Sequence, residues 1–424
     1  MCAVDSDMLH SMLDIPGIET QKISFDHENG ITIQVASTVN GTACHMCGRH
    51  ICKPRSYGFQ VKLRHVSILG HKTYIVTTPL RYECEHCPGN PTTTQKVNWY
   101  EQRHSCTKAY EDHLLLSLVN NTVQDVSIKE DIGYDVVEGV LRGTGTKVNW
   151  EEISALGNLG IDEISIKKGH KDFVVIITAI INGQLRILAV LENREKATVK
   201  EFFKSIPKRL RKTVRVICSD LYKGFISAAK EVFGKKILVT ADRFHVAKLY
   251  RGKLDNLRKK EMGRLKKELS ELEYKKLHNA MWILRKSPSD LTSDELRILS
   301  LLFKHSPLLK LAYDLCLDLT KIFDMNITQG QAKRKMHGWI RRVRNSKLTC
   351  FDTFIKTLSN HMQEITNYFV ERLNSGFVEG LNNKIKVLKR RCYGLTNVTH
   401  LFQRIRLDLE GYSILSRKIK MLPV

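Results

Sequence analysis

The chain lacks any long hydrophobic run and any recognisable secretion signal. Its most apolar stretch, Phe173 to Leu191, is interrupted by Asn182-Gly183-Gln184 and by Arg186. Asn-Gly between two apolar runs is a strong hairpin signal. We therefore expect two buried strands here and not a membrane span, which needs about 20 apolar residues. Residues 1–7 contain neither a basic nor an apolar segment, so no signal peptide is expected.

Acidic residues are also in short supply. The chain has 44 Asp and Glu against 68 Lys and Arg, a formal net charge of +24. This balance favours a polyanionic partner, and nucleic acid before any other. A membrane surface fits less well, because the charge is spread along the chain and not gathered on one amphipathic anchor. Its 424 residues give room for two to four domains.

The cysteines indicate a metal site. There are eleven, an odd number without a secretion signal, which argues for reduced thiols and against a disulfide framework. Cys44-His45-Met46-Cys47 and Cys84-Glu85-His86-Cys87 are two Cys-x-x-Cys pairs separated by the predicted strands 59–65, 71–76 and 80–83. Four thiolates at this spacing predict a zinc ribbon with a closed, structural site. The alternatives are unrelated buried cysteines, or substitute ligands among Cys52, His50 and Cys106.

Short elements flank this ribbon. Before it we expect a helix near Leu9–Leu13 and strands at 22–25 and 31–35. After it, residues about 105 to 145 show three helical segments, 107–120, 122–129 and 135–142, with Thr122 as a suitable cap. Their spacing favours a helix-turn-helix. The third segment carries Asp135 and Glu138, unusual for a helix that reads a DNA groove, so a three-helix packing module is the alternative.

From about residue 158 the pattern becomes β, β, β, α, β, α, β, α. The first three strands are joined by short connections, as in an antiparallel meander, and the last two are each reached through a helix, which implies parallel crossovers. That order describes the ribonuclease-H-like fold. The predicted strands are 160–166, 173–181, 185–191, 214–219 and 236–241, and the helices are 196–206, 223–233 and 243–262.

The remainder of the chain is predicted to be helical. Residues about 250 to 370 are basic throughout and are interpreted as a helical insertion with a solvated, salt-bridged face. A last helix begins near Ser375, and Gly394 is expected to end it. One face of that helix carries Phe377, Leu381, Ile385 and Leu388, and another carries Glu379, Asn383, Lys386 and Arg390.

Three carboxylates stand out as candidate ligands for two Mg²⁺ or Mn²⁺ ions. Asp162 lies in a predicted strand, Asp220 ends another, and Glu379 opens the last helix. A two-metal site needs a few carboxylates on rigid elements, with roughly 3.5–4 Å between the ions, to clamp a phosphoryl group for in-line attack. Lys386 and Arg390 share the face of Glu379 and are expected to contact the DNA backbone.

Neighbouring residues compete with this assignment. Asp242 also lies at a strand end and is a rival ligand; its alternative is to cap the helix that follows or to form a salt bridge. Glu163 follows Asp162 directly, so strand alternation turns it to the opposite face and favours a structural role. His245 is interpreted as a packing or phosphate-contacting residue and not as a metal ligand.

The ordered set of motifs resembles the DDE transposases of the ISL-three insertion-sequence group over nearly the whole chain. The set comprises both cysteine pairs, Gly160-Ile161-Asp162-Glu163 with Lys168-Gly169-His170, Ser219-Asp220, Asp242-Arg243-Phe244-His245-Val246, Asn374-Ser375-Gly376-Phe377-Val378-Glu379-Gly380, Asn383-Lys384-Ile385-Lys386 and Lys389-Arg390-Arg391-Cys392-Tyr393-Gly394. The resemblance implies a catalytic triad of Asp162, Asp220 and Glu379, and N-terminal modules that bind the element's terminal inverted repeats.

We therefore expect a multidomain α/β plus α protein. The predicted segments are strands and zinc ribbon at 1–100, helix-turn-helix at 101–150, a ribonuclease-H-like core at 151–255 and 371–424, and the helical insertion at 256–370. The expected function is transposition, with two-metal cleavage and strand transfer on double-stranded DNA by at least a homodimer. The expected location is the cytoplasm, at the bacterial nucleoid, without a membrane partner.

Two other functions remain open. A structure-specific nuclease of the same fold would use the same carboxylates but would need less sequence-reading apparatus. A DNA-binding regulator derived from a transposase would not need all three carboxylates intact. No arrangement of Ser, Tyr or Cys in the sequence supports a covalent recombinase.

Overall fold

The computed structural model describes residues 13, 15–145, 148–165, 173–372, 376–392 and 397–415, without the side chains of 376–379 and 382. The helix expected near Leu9–Leu13 and the helix end expected at Gly394 lie outside what is described. The chain divides into two compact units. Unit 1 comprises Met1–Gly145 and Arg406–Val424, and unit 2 comprises Thr146–Ile405.

Unit 1 begins with short strands that form three small sheets. A four-stranded sheet has the order β1-β2-β7-β6, and smaller sheets pair β3 with β4 and β5-β8-β9. Ile33, Leu63 and Ile75 are fully buried in the larger sheet, as its alternating pattern requires. The strands are β1 Ile18–Asp26, β2 Gly30–Ser37, β3 Thr42–Ala43, β4 His50–Ile51, β5 Lys53–Tyr57, β6 Val61–Ile68, β7 His71–Thr77, β8 Leu80–Glu83 and β9 Thr92–Thr94.

Three helices follow in unit 1: α1 Lys108–Leu118, α2 Val123–Glu130 and α3 Tyr134–Gly143. The predicted cap is confirmed, because the Thr122 hydroxyl accepts a hydrogen bond from the Asp125 backbone N–H at 3.0 Å. The three helices share a core that the sequence does not foretell: it includes Leu407, from near the C-terminus. The Asn120 N–H also donates to Asp408 Oδ1 at 3.0 Å. Residues 406–415 therefore complete the helical part of unit 1.

Unit 2 is built on a five-stranded sheet with the order β12-β11-β10-β13-β14. β10 and β12 each pair antiparallel with β11, whereas β13 pairs parallel with both β10 and β14. The meander and the two crossovers predicted from the sequence are thus confirmed. The Asn182-Gly183 turn has φ of 53° and 77°, as a two-residue hairpin requires. The strands are β10 Asn158–Ser165, β11 Phe173–Ile181, β12 Gln184–Leu191, β13 Val216–Ser219 and β14 Leu238–Ala241.

Helices pack against this sheet, and further helices form a second core. Val199, Phe203, Phe225 and Ala229 pack against the strands. The helices are α4 Lys196–Ser205, α5 Lys208–Arg211, α6 Lys223–Phe233, α7 Arg243–Glu268, α8 Glu271–Lys275, α9 Ala280–Ile283, α10 Ser293–His305, α11 Pro307–Asp324, α12 Gln329–Asn345, α13 Asp352–Asn360, α14 Met362–Thr366, α15 Tyr368–Glu371, α16 Gly376–Arg391 and α17 Val398–Leu415.

The basic region between about 250 and 370 is helical, as predicted, and has a continuous core. That core begins at Ala241 and Val246 and includes Trp339, whose indole N–H donates to the Leu315 carbonyl at 2.7 Å. The region therefore packs around α7. Across the described residues, we find no helix whose length and apolar content would let it span a bilayer.

The link between this helical region and the sheet generates the first prediction. Asn367 is buried, and its side-chain amide donates to the Val239 carbonyl of β14 at 2.7 Å. Asn367→Ala leaves that carbonyl without its partner and should lower the free energy of unfolding by about 1–3 kcal/mol. Urea unfolding followed by tryptophan fluorescence measures this. Asn360→Ala, at an exposed helix end, is the control, and an equal effect in both variants would contradict the proposed link.

Candidate metal centre and active site

The four predicted cysteines of unit 1 converge on one point. Cys44, Cys47, Cys84 and Cys87 place their sulfurs within 4.8 Å of one another. The Cys44–Cys87 and Cys47–Cys84 sulfur distances are 4.0 and 3.8 Å. A tetrahedral Zn²⁺ with Zn–S bonds of about 2.3 Å would set its sulfurs about 3.8 Å apart. Within the described residues, this is the one group of three or more His, Cys, Asp or Glu that meets a metal-binding geometry.

Tight turns hold each Cys-x-x-Cys pair. After the first pair, Gly48 has φ of 71°, and its N–H donates to the Cys44 carbonyl at 2.9 Å. After the second pair, the Asn90 N–H donates to the Cys87 carbonyl at 3.2 Å. Positive φ costs little at Gly and is tolerated by Asn. The sequence therefore folds both pairs back so that their sulfurs face each other.

The electrostatics of the cysteine group favour a cation. Backbone N–H groups of Cys47 and Met46 lower the pKa of Cys44 to about 6. Burial and the neighbouring sulfurs raise the pKa of Cys87 to about 12. Thiolates so close repel one another, and a divalent cation removes that repulsion by binding all of them. Cys52 lies apart and contacts His50 Nδ1 at 3.3 Å, so neither belongs to this group.

The carboxylates of unit 2 are aligned by the parallel pairing of β13. Gly160 pairs with Cys218, and Asp162 and Asp220 each lie two residues further along. Ser219 pairs with Ala241, and Asp220 and Asp242 each follow directly. Because neighbouring parallel strands end at the same edge of a sheet, the three aspartates lie side by side. Burial, Asp242 and Asp162 together raise the pKa of Cys218 to about 12, which reflects how near both carboxylates are.

Asp162 and Asp220 occupy different surroundings at this edge. Asp162 is buried and accepts a hydrogen bond from the Glu163 N–H at 2.7 Å. Asp220 opens onto a 660 Å³ cavity that is also lined by His245, Lys248 and Lys253. The pKa of Asp220 is raised, chiefly by burial and also by the charge of Asp162. Buried like charges this close favour a bound cation, because each disfavours ionisation of the other.

Asp242 is already engaged by its own helix. Its Oδ1 accepts the Phe244 N–H at 2.8 Å and caps α7, and its Oδ2 lies 3.2 Å from His245 Nδ1. The pKa of His245 is raised, first by Asp242 and also by the charges of Asp162 and Asp220. The capping alternative is thus confirmed for Asp242, and His245 lies between it and the cavity of Asp220.

Arg194 is a nearby cation that the sequence did not single out. Its guanidinium lies 3.3 Å from Glu163 Oε2 and is held over the rings of Phe173 and Tyr222 at 5.4 and 5.3 Å. It also lowers the pKa of Asp220, against the stronger effect of burial. Glu163 therefore anchors a positive charge beside the aspartates. In the sequence, Arg194 is marked only by its place shortly after β12, which does not distinguish it from other arginines at the ends of strands.

The helix α16 packs against the strand of Asp162. Lys389 Nζ donates to the Ser165 carbonyl of β10 at 2.6 Å. Leu381, Ile385 and Leu388 are buried, as the predicted apolar face requires, whereas Lys386 and Arg390 are exposed. The side chains of Glu379 and Phe377 lie outside the described part of the chain. The structure thus brings the backbone of α16 to β10, and the position of the Glu379 carboxylate stays a prediction.

Comparisons with known proteins identify the family of the chain. The DDE transposase family of the ISL3 (ISL-three) group, described as "Transposase", matches residues 159–405. This span runs from β10 through the whole helical region to α17 and so contains Asp162, Asp220 and Glu379. The match defines the chain as a member of a transposase class, and the chain belongs to the ISL-three family of DDE transposases.

Individual relatives agree over nearly the full chain. The transposase of insertion sequence element IS1001 from Bordetella parapertussis is 23% identical over 96% of this chain and 99% of that protein. That of IS1557 from Mycobacterium tuberculosis is 23% identical over 87% of this chain and 86% of that protein. The Drosophila P element transposase strand transfer complex aligns with a TM-score of 0.39 and 13% identity over 75% of this chain and 94% of that one, too distant to support an argument.

The cysteine geometry generates a prediction about metal content. Cys84→Ser removes a buried ligand sulfur and should abolish the stoichiometric zinc of the purified chain, and it should lower the melting temperature of unit 1, since binding of a structural metal contributes folding energy. Inductively coupled plasma mass spectrometry measures the metal. Cys52→Ser is the matched control, because Cys52 is exposed. A chain that contains no zinc, or a C84S variant that keeps it, would refute the site.

Proposed function

We propose that this chain is an active transposase that binds the terminal inverted repeats of an insertion sequence and cuts and joins DNA at a two-metal site. The observation that carries the proposal is the alignment of Asp162 and Asp220 at one edge of the sheet, with the family's helix α16 packed on the same strand. We interpret the core of unit 2 as ribonuclease-H-like, with the helical region as its insertion, because an antiparallel meander followed by two parallel strands matches the sequence expectation.

The residues at the site fit a pair of divalent cations. Hard cations take oxygen ligands, and Asp162 and Asp220 supply them, with Glu379 as the proposed third. When bound, the metals would lower the pKa of a water and stabilise the leaving 3′ oxygen. Asp162, Asp220 and Glu379 would together hold the two ions.

Other residues are proposed to hold the DNA. Lys386 and Arg390 lie exposed on α16, four residues apart and so on one face, where they would neutralise backbone phosphates. Arg194 would add a fixed positive charge beside Asp220 for the phosphate next to the one that is cut. The freed 3′-OH is then positioned for attack on target DNA, in a dimer that holds two element ends.

Unit 1 is proposed to recognise the repeat sequence. We interpret its cysteine group as a zinc ribbon and α1–α3 as a helix-turn-helix. Because Leu407 and Asp408 belong to the same unit, repeat binding should require residues 406–415 as well as 1–150. The boundaries expected from the sequence place all of 371–424 with the core, and we propose instead that the end of α17 belongs with the DNA-binding modules.

The alternatives make different demands on this arrangement. A structure-specific nuclease of the same fold would cut branched DNA of any sequence and would not need the repeat. A regulator derived from a transposase would bind the repeat without cutting it. Incubation of the chain with the flanking inverted repeats and Mg²⁺ separates the three.

The triad generates a prediction about cleavage. Asp162→Asn, Asp220→Asn and Glu379→Gln each remove a metal-binding charge while keeping the size of the side chain. Each should reduce strand cleavage at the element end by at least about a thousandfold and leave binding of the end DNA within about twofold. Denaturing gels with end-labelled DNA measure cleavage, and gel shifts measure binding.

The matched control for the triad is Asp294→Asn, an exposed aspartate at the start of α10, which should cleave as the unaltered chain does. Asp242→Asn tests the rival ligand. If D242N abolishes cleavage at unchanged stability while one of the three triad variants still cuts, the ligand set is wrong and Asp242 replaces that residue.

The exposed cations of α16 generate a prediction about salt. Lys386→Ala and Arg390→Ala should each weaken DNA binding equally for repeat and random sequence, and each should reduce the slope of log Kd against log salt by about one. Fluorescence anisotropy across a salt series measures this. Lys304→Ala, exposed at the end of α10, should leave the slope unchanged. If the α16 variants lose affinity without any change in slope, their cations do not contact phosphate.

A further inference from the structure

The surface of α7 next to Asp220 exposes large aromatic side chains. Phe244 is 55% exposed and Trp282, in the neighbouring α9, is 58% exposed. Arg285 lies over the Trp282 ring, 5.4 Å from its centre. Aromatic rings beside cations are the usual means by which proteins hold unpaired nucleic-acid bases. This face therefore has the side chains of a nucleic-acid-binding surface.

Two cavities meet along this face. The 660 Å³ cavity of Asp220 runs along α7 past Lys248, Gly252 and Asp255. A second cavity of 440 Å³ is lined by those same three residues and, beyond them, by Phe244 and Arg285. Lys248, Gly252 and Asp255 therefore form a shared wall between the cavity of Asp220 and the second cavity. We name the two cavities, with this wall and the exposed Trp282 beside it, the α7 track.

The charges of the α7 track suit a polyanion. Lys248, Arg251 and Arg285 are exposed along it. Its one acidic lining residue outside the catalytic edge, Asp255, is compensated by Arg258 at 2.8 Å and Lys259 at 3.2 Å. The second cavity also has apolar walls, from Met281, Leu284 and Ala247. Cations and apolar walls together suit a strand whose phosphates and bases are both accessible.

Gly252 leaves the middle of the track open. It lies within α7, where Gly costs about 0.5–1 kcal/mol relative to Ala. A Cβ placed there would meet nothing within 4 Å, so no packing contact within the described residues requires the glycine. Its effect is to bare the helix backbone between the two cavities. That opening permits close approach by a ligand that passes from one cavity to the other.

We propose that the α7 track binds the unpaired DNA strand next to the phosphate that is cut, with bases against Phe244 and Trp282 and phosphates near Lys248, Arg251 and Arg285. A duplex is disfavoured as occupant, because its base faces are stacked inside the helix and cannot reach the aromatic rings. A 440 Å³ cavity matches a ligand of drug size, which a nucleotide is and a duplex is not. The inference rests on the proposed function and specifies the form of DNA at the same site.

The test compares two fluorescein-labelled DNAs on the full chain, in buffer without magnesium. One is a blunt duplex, and the other is the same duplex with a single-stranded thymidine tail. Anisotropy titration should show the tailed duplex bound about tenfold more tightly. Gly252→Glu should remove that advantage by filling the track. Gly263→Glu, at an exposed glycine of the same helix where a Cβ also meets nothing, should retain it.

Further outcomes decide between the alternatives. Phe244→Ala combined with Trp282→Ala should also remove the tail advantage, which keeps the test valid if G252E fails to fold. Equal affinity of the unaltered chain for both DNAs, or a G252E variant that folds and keeps the tail advantage, overturns the α7 track. If G252E weakens the binding of both DNAs equally, the track binds the backbone of duplex DNA, and the proposal of an unpaired strand is overturned.

Magnesium-dependent cleavage of the element end is scored separately on the unaltered chain. Tighter binding of the tailed duplex without cleavage overturns the strand-cutting function but supports the α7 track. Cleavage without tighter binding of the tailed duplex supports the strand-cutting function but overturns the α7 track.

Discussion

The parallel pairing of β13 with both of its neighbours is the constraint on which the candidate catalytic edge, formed by Asp162, Asp220 and Asp242, depends. It fixes the register of β10, β13 and β14, so that Asp162, Asp220 and Asp242 reach the same edge of the sheet. A slip of one residue would turn every side chain of a strand to its other face and would separate the aspartates. The core that packs against the sheet makes such a slip costly.

This alignment gathers negative charge where burial disfavours it. The pKa of Asp220 and that of Glu163 are both raised, first by burial and then by neighbouring carboxylates. Arg194, which lies beside Glu163, offsets part of this cost. His245, whose pKa is raised chiefly by Asp242, adds to this effect when it is protonated. The cysteine group of unit 1 shows the same principle, since its four sulfurs are held closer than ionised thiolates tolerate alone. In both places, closely spaced acidic groups favour the binding of a cation.

The sequence predicts those features that depend on local patterns. Alternation and the Asn182-Gly183 turn predict the β10–β12 meander, the Thr122 cap is visible three residues before its partner, and the two Cys-x-x-Cys pairs predict the cysteine group. Features that depend on distant contacts are missed. Leu407 completes the core of α1–α3, and Asp408 accepts a hydrogen bond from Asn120, 288 residues earlier. No local pattern in the sequence predicts these contacts.

The helical region shows the same limit. Its charge pattern predicts the solvated, salt-bridged face, which pairs such as Arg264 and Glu268 confirm. It does not predict the core that contains Val246 and Trp339, because the apolar positions of α7 are sparse and contact helices far along the chain. A binding role for the exposed Phe244 and for Gly252 likewise cannot be predicted from the sequence, because it depends on the cavity beside Asp220. The position of Arg194 beside the aspartates likewise depends on its contacts with the rings of Phe173 and Tyr222.

The most direct measurement of the central claim is the structure of the unaltered chain with bound element-end DNA and Mn²⁺, with the metals located by anomalous scattering. The two-metal account predicts two peaks roughly 3.5–4 Å apart, one or both in contact with Asp162 and each in contact with Asp220 or Glu379. A single peak, or metals held by Asp242 and Glu163 in place of Asp220 and Glu379, would contradict it.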